Sequence, residues 1–371
     1  MYILSASQIR RADAFTILEE PVKSIDLMER AAEKCFEWFK KHVDKHNFIQ
    51  IFCGPGNNGG DGLALARMLY GSGYEVKATL LQFDLALSMD CKLNLERLQK
   101  IDQGMVNVVK DNFEFPQLPK TTFLVDAIFG TGLSRNIDGE IGTVITAMNS
   151  SSYPIISIDL PSGINSDNTS LNNDNKIVIS NTTLTFQYPK LALLVSENAQ
   201  FYGQVEVLDI GLSPNAIPES EVINFQVDRE MLVSIYVPKR EFSHKGNFGH
   251  GLLITGEKGK MGAAVLASGG FLRSGGGLLT LLVPDEGIPI VQSAVPEAMV
   301  AIIKNEELLP VDCNKFSAIG VGPGLGQDPK AVKRLKQLID SYHKPIVFDA
   351  DALNILSSHP DWLQQLPQGS Y

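Results

Sequence analysis

Cysteine is scarce in this 371-residue chain: Cys35, Cys53, Cys91 and Cys313 stand far apart, with no C-x-x-C pair and no dense framework. That spacing excludes a disulfide-stapled secreted scaffold, and all four are expected to be small core residues in a reducing compartment. Positive charge is also short. Lys and Arg total 32 against 42 Asp and Glu, a formal net charge of −10; a nucleic-acid partner, which needs a cationic surface that releases phosphate counterions, is not expected. A membrane is not expected either, because no run reaches the ~18 uninterrupted apolar residues of a spanning helix, and Met1–Ala6 lacks the basic start and long apolar run of a signal peptide. There is no internal repeat. Low complexity is confined to 166–175 (SDNTSLNNDN), whose composition suits a mobile polar loop. These absences together point to a soluble cytoplasmic protein.

What is present is ordinary globular composition, 44% hydrophobic and 20% charged, in a chain longer than one core usually organises. Leu27, Ala31, Cys35, Trp38 and Phe39 recur at helical spacing within 27–43. Strand-like runs at 48–53, 76–81, 123–128, 155–159, 183–186 and 205–210 alternate with helix-length stretches such as 63–69 and 89–100. This alternation predicts a parallel sheet covered on both faces. The stretch 212–221 (LSPNAIPESE) has two prolines and no periodicity, so it marks a boundary, and domains are expected over 1–224 and 225–371. The second domain repeats the α/β pattern, with strands at 252–255, 278–283, 299–303, 318–321 and 346–348.

The chemistry concentrates at glycine-rich turns. Between a strand and a helix, 53–62 reads CGPGNNGGDG; Gly54, Gly56 and Gly59 satisfy G-x-G-x-x-G, with Glu75 about twenty residues on. A dehydrogenase is therefore one reading. Against it, Asp61 near the helix start would repel a pyrophosphate, whereas Asn57, Asn58 and Asp61 suit hydroxyl, carboxamide or cation recognition. The plainer reading is a tight turn with Asp61 capping the helix. Two more strand ends carry acids: Asp126 in VDAIFGTGLSRNI, which continues through Gly130 and Gly132, and Asp159 in SIDLPSGINSD, with Ser162 and Gly163. In an open parallel sheet these ends should converge on one crevice, and an acid ending an apolar strand is costly unless paired or used. Lys190, in TFQYPKLALL, is either buried and able to exchange protons or snorkelling to solvent.

GPGNNGGDG, VDAIFGTGL, SIDLPSG and TFQYPK, in this order across about 1–225, resemble the NAD(P)HX epimerase domain of the bifunctional NAD(P)H-hydrate repair enzymes. The resemblance implies a Rossmann-like three-layer fold with a mostly parallel sheet. It implies a hydrate site lined by Asn57, Asn58, Gly59, Gly60, Asp61, Gly130, Thr131, Gly132, Leu133, Ser134, Arg135, Asn136 and Asp159, and a potassium ion near Asn58, Asp126 and Ser162. Inverting a carbon that bears a hydroxyl next to the ring nitrogen requires loss and return of the hydroxyl or opening of the ring. Either route needs a proton donor and acceptor within hydrogen-bond reach, and Asp159 and Lys190 are the candidates.

The later segment carries HKGNFGHGLLITGEKGKMGAAVLASGG, IGVGPGLG and VFDADALN. Gly320, Gly322, Gly324 and Gly326 would let backbone amides approach a phosphate. Asp349 and Asp351 could orient a water, cation or hydroxyl, or cap the helix 352–356. From about Phe242 to Leu356 these motifs resemble the ADP- or ATP-dependent NAD(P)HX dehydratase domain of the same enzymes. That resemblance implies a ribokinase-like fold, a hydrate pocket at Ala263, Gly324, Asp349 and Asp351, and a nucleotide with magnesium. The threonine-proline-histidine-proline-glycine-glutamate stretch expected after DADAL is not among the 371 residues, so a partial domain with doubtful dehydratase activity is expected. A small-molecule kinase and a non-catalytic nicotinamide-nucleotide binder are the other readings. The partner expected is NAD(P)HX itself, and a homo-oligomer is expected.

Overall fold

The computed structural model describes residues 1–83, 85–133, 136–167, 176–301 and 309–371. The chain divides into two units, Met1–Ile235 and Tyr236–Tyr371. The division falls later than residue 224 because β1 (Tyr2–Ile3) pairs antiparallel with β9 (Asn224–Phe225), and the N-terminal ammonium donates to the Gln226 carbonyl and the Asp228 carboxylate. The segment just after the proline-rich stretch thus closes the first unit.

The first unit is built on a seven-stranded sheet in the order β4-β3-β2-β5-β6-β7-β8, all neighbours parallel. The strands are β2 (Phe48–Cys53), β3 (Glu75–Leu81), β4 (Val106–Val109), β5 (Thr122–Ala127), β6 (Ile155–Ile158), β7 (Thr182–Phe186) and β8 (Gln204–Leu208). Five helices matter for the site: α1 (Ala6–Glu19), α2 (Ser24–His42), α3 (Asn57–Gly71), α4 (Met89–Ile101) and α5 (Gly139–Ser150). Strand side chains alternate between faces. Ile49, Ile51 and Cys53 therefore join Phe39, Leu63, Leu69 and Leu98 from α2, α3 and α4 in one core, while Phe52 and Leu124 join Val144, Ile145 and Met148 of α5 in another. The expected three-layer α/β arrangement is the one found.

Several elements, β1 and β9 among them, were not legible as such. α1 buries only the small face Ala6, Ile9, Ala12 and Thr16, too weak a stripe to stand out; a capping box fixes its start, with Gln8 N–H donating to Ser5 Oγ at 3.3 Å and Ser5 N–H to Gln8 Oε1 at 2.9 Å. α5 begins among glycines, and β4 is a four-residue edge strand.

The second unit is a five-stranded parallel sheet, order β12-β11-β10-β13-β14, made of β10 (His250–Ile254), β11 (Leu278–Leu282), β12 (Met299–Ala301), β13 (Ala318–Val321) and β14 (Ile346–Phe348). Its larger core gathers Leu252, Ile254, Ile319, Val321, Ile346 and Phe348 against Leu335, Leu338 and Ile355. Residues 302 and 303 of the expected third strand and 168–175 of the polar stretch lie outside the described residues. All four cysteines are free and buried, and burial raises each thiol above its ordinary pKa, so none is a ready nucleophile. Among the described residues no helix is long and apolar enough to cross a membrane.

Candidate active site

From β2 the chain runs outward through β3 and β4, then returns to β5 on the other side of β2. That reversal opens a crevice at the carboxyl ends of β2 and β5. The turn after β2 is pressed against the turn after β5: a Cβ on Gly54 would lie 2.0 Å from the Ile128 carbonyl oxygen. Here the glycine loop differs from its expected form. α3 begins at Asn57 with Gly56 as its N-cap and no side-chain cap bond, so Asp61 lies within the helix and does not cap it. Glycine is needed where this helix meets the loop, since a Cβ on Gly59 would sit 1.8 Å from the Gly54 oxygen. Gly60 faces away: its Cβ would strike Met28 of α2, and its carbonyl accepts from Asn94 at 3.2 Å. Glu75, required by the dehydrogenase reading, opens β3 opposite Phe48, at the far end of the sheet from Gly54, so that reading fails.

The centre of the crevice is an ion pair. Lys190 is 1% exposed and Asp159 7%; Nζ lies 2.7 Å from Asp159 Oδ1. Nζ also donates to Thr185 Oγ1 at 2.8 Å and the Phe186 carbonyl at 3.0 Å, which commits all three of its hydrogens. Lys190 is buried, and the snorkelling alternative is overturned. Asp159 Oδ2 accepts from Thr131 N–H at 2.8 Å, and Gly130 stays a glycine beside it, since a Cβ there would approach Oδ2 to 2.5 Å. Burial would raise the Asp159 pKa, but the Lys190 ammonium and the bonds from Lys190 and Thr131 hold it below the ordinary carboxylate value. Asp159 adopts φ +67, a left-handed conformation uncommon outside glycine, Asn and Asp.

One strand away, Asp126 is fully buried. Its Oδ1 accepts from Ser162 Oγ at 2.5 Å and Ile128 N–H at 3.2 Å, and its Oδ2 from Ser157 Oγ and Ser162 N–H, both at 2.8 Å. Burial outweighs these bonds and raises its pKa. The Ser162 hydroxyl also has the Phe129 carbonyl at 3.1 Å, so turning its hydrogen there would free a lone pair on Asp126. Asn58 Oδ1 and Nδ2 are buried with no hydrogen-bond partner. An orphaned amide oxygen, a buried carboxylate and a hydroxyl are all oxygen donors of the kind that suits a hard cation.

Gly132, Leu133 and Asn136 line a cavity of about 380 Å³ with Phe129 and Ile137; Ser134 and Arg135 lie outside the described residues. Asn57 is exposed at the helix start. Asp61, 9% exposed, has its pKa pushed well up, first by burial, then by Asp159, Asp13, Asp90 and Glu29. Asp13 is a residue that sequence reasoning missed. Burial first and the Asp159 carboxylate second push it up to about 6, against Lys190. Asp13 is half-buried on α1 between the buried Ala12 and Thr16, so its signal is invisible until the helix itself is recognised.

The second unit brings its expected residues together at the ends of β10, β13 and β14. A Cβ on Gly324 would lie 2.9 Å from the Ala263 Cβ. Asp351 Oδ2 accepts from Gly326 N–H at 2.9 Å and lies 3.8 Å from Lys260 Nζ; these contacts hold its pKa down despite partial burial, the Gly326 bond foremost. The helix Asp351–Ser358 has Ala350 as N-cap with no side-chain cap bond, so Asp351 ties the glycine loop to the helix and does not cap it. Asp349 is exposed and accepts from the Ala350 N–H at 2.8 Å.

Residues 24–192 match the YjeF-related protein N-terminus family, and residues 251–370 match the NAD(P)H-hydrate dehydratase family, which extends the likeness past Leu356. The chain is 34% identical over 379 residues to the bifunctional NAD(P)H-hydrate repair enzyme Nnr of Moorella thermoacetica, covering 96% of this chain and 70% of that one. It is 31% identical over 357 residues to its Escherichia coli K12 counterpart, covering 96% and 67%. A solved ADP/ATP-dependent NAD(P)H-hydrate dehydratase from Bacillus subtilis is similar to 33% of this chain and 45% of its own, at 30% identity and a TM-score of 0.31. With both halves matched in order and along nearly its whole length, the chain belongs to the family of bifunctional NAD(P)H-hydrate repair enzymes.

Proposed function

We propose that the first unit interconverts the R and S epimers of NAD(P)HX in the crevice between the ends of β2, β5 and β6, and that the second unit holds the same hydrate for ADP- or ATP-dependent dehydration. The observation that carries the first part is the buried Asp159–Lys190 pair, 2.7 Å apart, at the carboxyl end of a parallel sheet where a ligand is expected. Lys190, its hydrogens all committed, keeps Asp159 ionised; Asp159 then faces the ring nitrogen, where positive charge develops as the hydroxyl leaves. Thr131 N–H and the Gly130 turn orient the carboxylate, and the cavity over Phe129, Gly132, Leu133 and Asn136 accommodates the rest of the ligand. Asn58, Asp126 and Ser162 would hold a potassium ion, which supplies fixed positive charge for the nucleotide's phosphates or hydroxyls. In the second unit Ala263, Gly324, Asp349 and Asp351 form the hydrate side, and the amides of the Gly322–Gly326 turn suit a phosphate. Four buried, reduced cysteines suit the cytoplasm.

The test is epimer exchange, followed by chromatographic separation of R and S hydrate with potassium titrated against sodium. Purified protein should equilibrate a single epimer, with a potassium dependence that Asn58→Ala weakens tenfold or more. Exchange no faster than the uncatalysed rate would refute the function; exchange indifferent to potassium would refute only the cation.

A further inference from the structure

Strands β6 and β7 end alike, and both ends are strained. The Asp159 N–H donates to the Leu184 carbonyl of β7 at 2.7 Å, and the Gln187 N–H to the Leu208 carbonyl of β8, also at 2.7 Å, so each residue continues the ladder one bond past its strand. Each then turns left-handed, Asp159 at φ +67 and Gln187 at φ +56. Leu160 N–H closes back on the Ile158 carbonyl at 2.9 Å and Tyr188 N–H on the Phe186 carbonyl at 2.6 Å, giving two three-residue turns of the rare, strained kind. The first turn carries Asp159 of the ion pair. The second aims the Phe186 carbonyl, which accepts both from Tyr188 N–H and, at 3.0 Å, from Lys190 Nζ. Strain of this sort persists only where the surroundings over-determine it, and it clusters at functional sites.

Gln187 holds its own turn. Continued regularly, the parallel ladder would pass the Ile210 N–H to the Gln187 carbonyl. That N–H goes instead to the Gln187 side chain, whose Oε1 accepts from Ile210 N–H at 2.9 Å and from Leu212 N–H at 3.3 Å; both donor residues are buried in the core that α1 shares. The carboxamide oxygen stands in for the backbone carbonyl, which frees the main chain to leave the sheet. We propose that Gln187 is a positioning residue of the epimerisation site: it fixes the turn whose Phe186 carbonyl pins the Lys190 ammonium, and through Lys190 it aims the Asp159 carboxylate. The proposal rests on the epimerase reading above. Lys190 has three hydrogens and three acceptors, on Asp159, Thr185 and Phe186. If the Phe186 carbonyl swings away, one N–H of a buried ammonium loses its partner, and the group shifts toward any acceptor or solvent within reach. Asp159 shifts with it, and a misplacement of about an ångström is enough to slow a positioned step.

The test uses the full chain and substitutions at this one position. Gln187→Met keeps the side chain's length without its acceptor, Gln187→Gly relieves the left-handed backbone without restoring the acceptor, and Gln187→Glu keeps an oxygen at the same reach. Gln187→Met and Gln187→Gly should each lower kcat for epimer exchange roughly 10- to 10²-fold, with KM within about twofold, and Gln187→Glu should recover most of the rate. A second readout needs no turnover. The Lys190 ammonium, 1% exposed and fully bonded, should give a slowly exchanging ¹H–¹⁵N signal, identified by its absence from Lys190→Met. Gln187→Met and Gln187→Gly should lose that signal to solvent exchange, and Gln187→Glu should keep it. A folded Met or Gly variant that keeps kcat, raises only KM, or slows exchange with the Lys190 signal intact overturns the positioning role. So does a Gln187→Glu no faster than Gln187→Met. Should Gln187→Met not fold, Gln187→Gly decides. A parent with no epimer exchange refutes the functional reading instead, and the Lys190 signal still decides whether Gln187 positions the pair.

Discussion

At the scale of the residue, Asp159 shows how a sequence hint becomes a mechanism. An acid ending an apolar strand was legible because such a position is costly unless compensated, and Lys190 was legible as a second acid–base candidate. What could not be read was the compensation, because Asp159 and Lys190 meet only through the pairing of β6 with β7. Asp159→Asn is the informative variant, since Asn tolerates the left-handed φ of +67, whereas most residues would strain it. We expect about a 10²-fold loss of epimer exchange and about 3 kcal/mol of lost stability, because Lys190 would remain buried without its counter-ion. Urea denaturation of Asp159→Asn, Lys190→Met and the double variant should show the double losing less than the sum of the singles; additive losses would mean that the two groups are not coupled.

At the scale of the element, α3 is the part whose reading changed most. Its first turn is disguised by glycine and asparagine, both poor helix formers, so periodicity placed the helix at 63–69 when it starts at Asn57. Tertiary packing overrides propensity there: the glycines let the helix lie against the β2 and β5 turns. Two substitutions within this one helix should therefore differ in sign. Gly59→Ala meets the Gly54 oxygen at 1.8 Å and should cost about 3 kcal/mol or more while displacing Asn58 and Asp61. Gly71→Ala, with nothing within 4 Å, should stabilise by up to ~1 kcal/mol. Thermal melts and epimer exchange measured together separate the two: Gly71→Ala should leave the exchange rate unchanged.

At the scale of the whole molecule, the two units should answer pH differently. In the first, Asp13, Asp61 and Asp126 all have raised pKa values, so the folded state binds more protons than the unfolded one above the ordinary carboxylate range. Stability from these groups is full below about 4 and is lost as pH rises through about 6 for Asp13, a loss on the order of 2–3 kcal/mol for that residue. In the second, Asp351 is lowered, and its contribution falls away only in stronger acid. Calorimetry between pH 7.5 and 5.5 should raise the first unit's Tm but not the second's through these groups, and Asp13→Asn should flatten the first unit's response; a pH-independent first transition would contradict the acid cluster. The two-unit α/β organisation was legible because strand runs and glycine turns recur on both sides of a proline-rich stretch. The boundary was not, because nothing in Asn224–Phe225 announces that it pairs with Tyr2–Ile3. That small antiparallel ladder brings the first unit's two ends side by side, with Met1 bonded to Gln226 and Asp228. The unit is therefore a closed ring of chain with a single doorway, a geometry that could be spliced as a cassette into a surface turn of an unrelated host without stretching either connection.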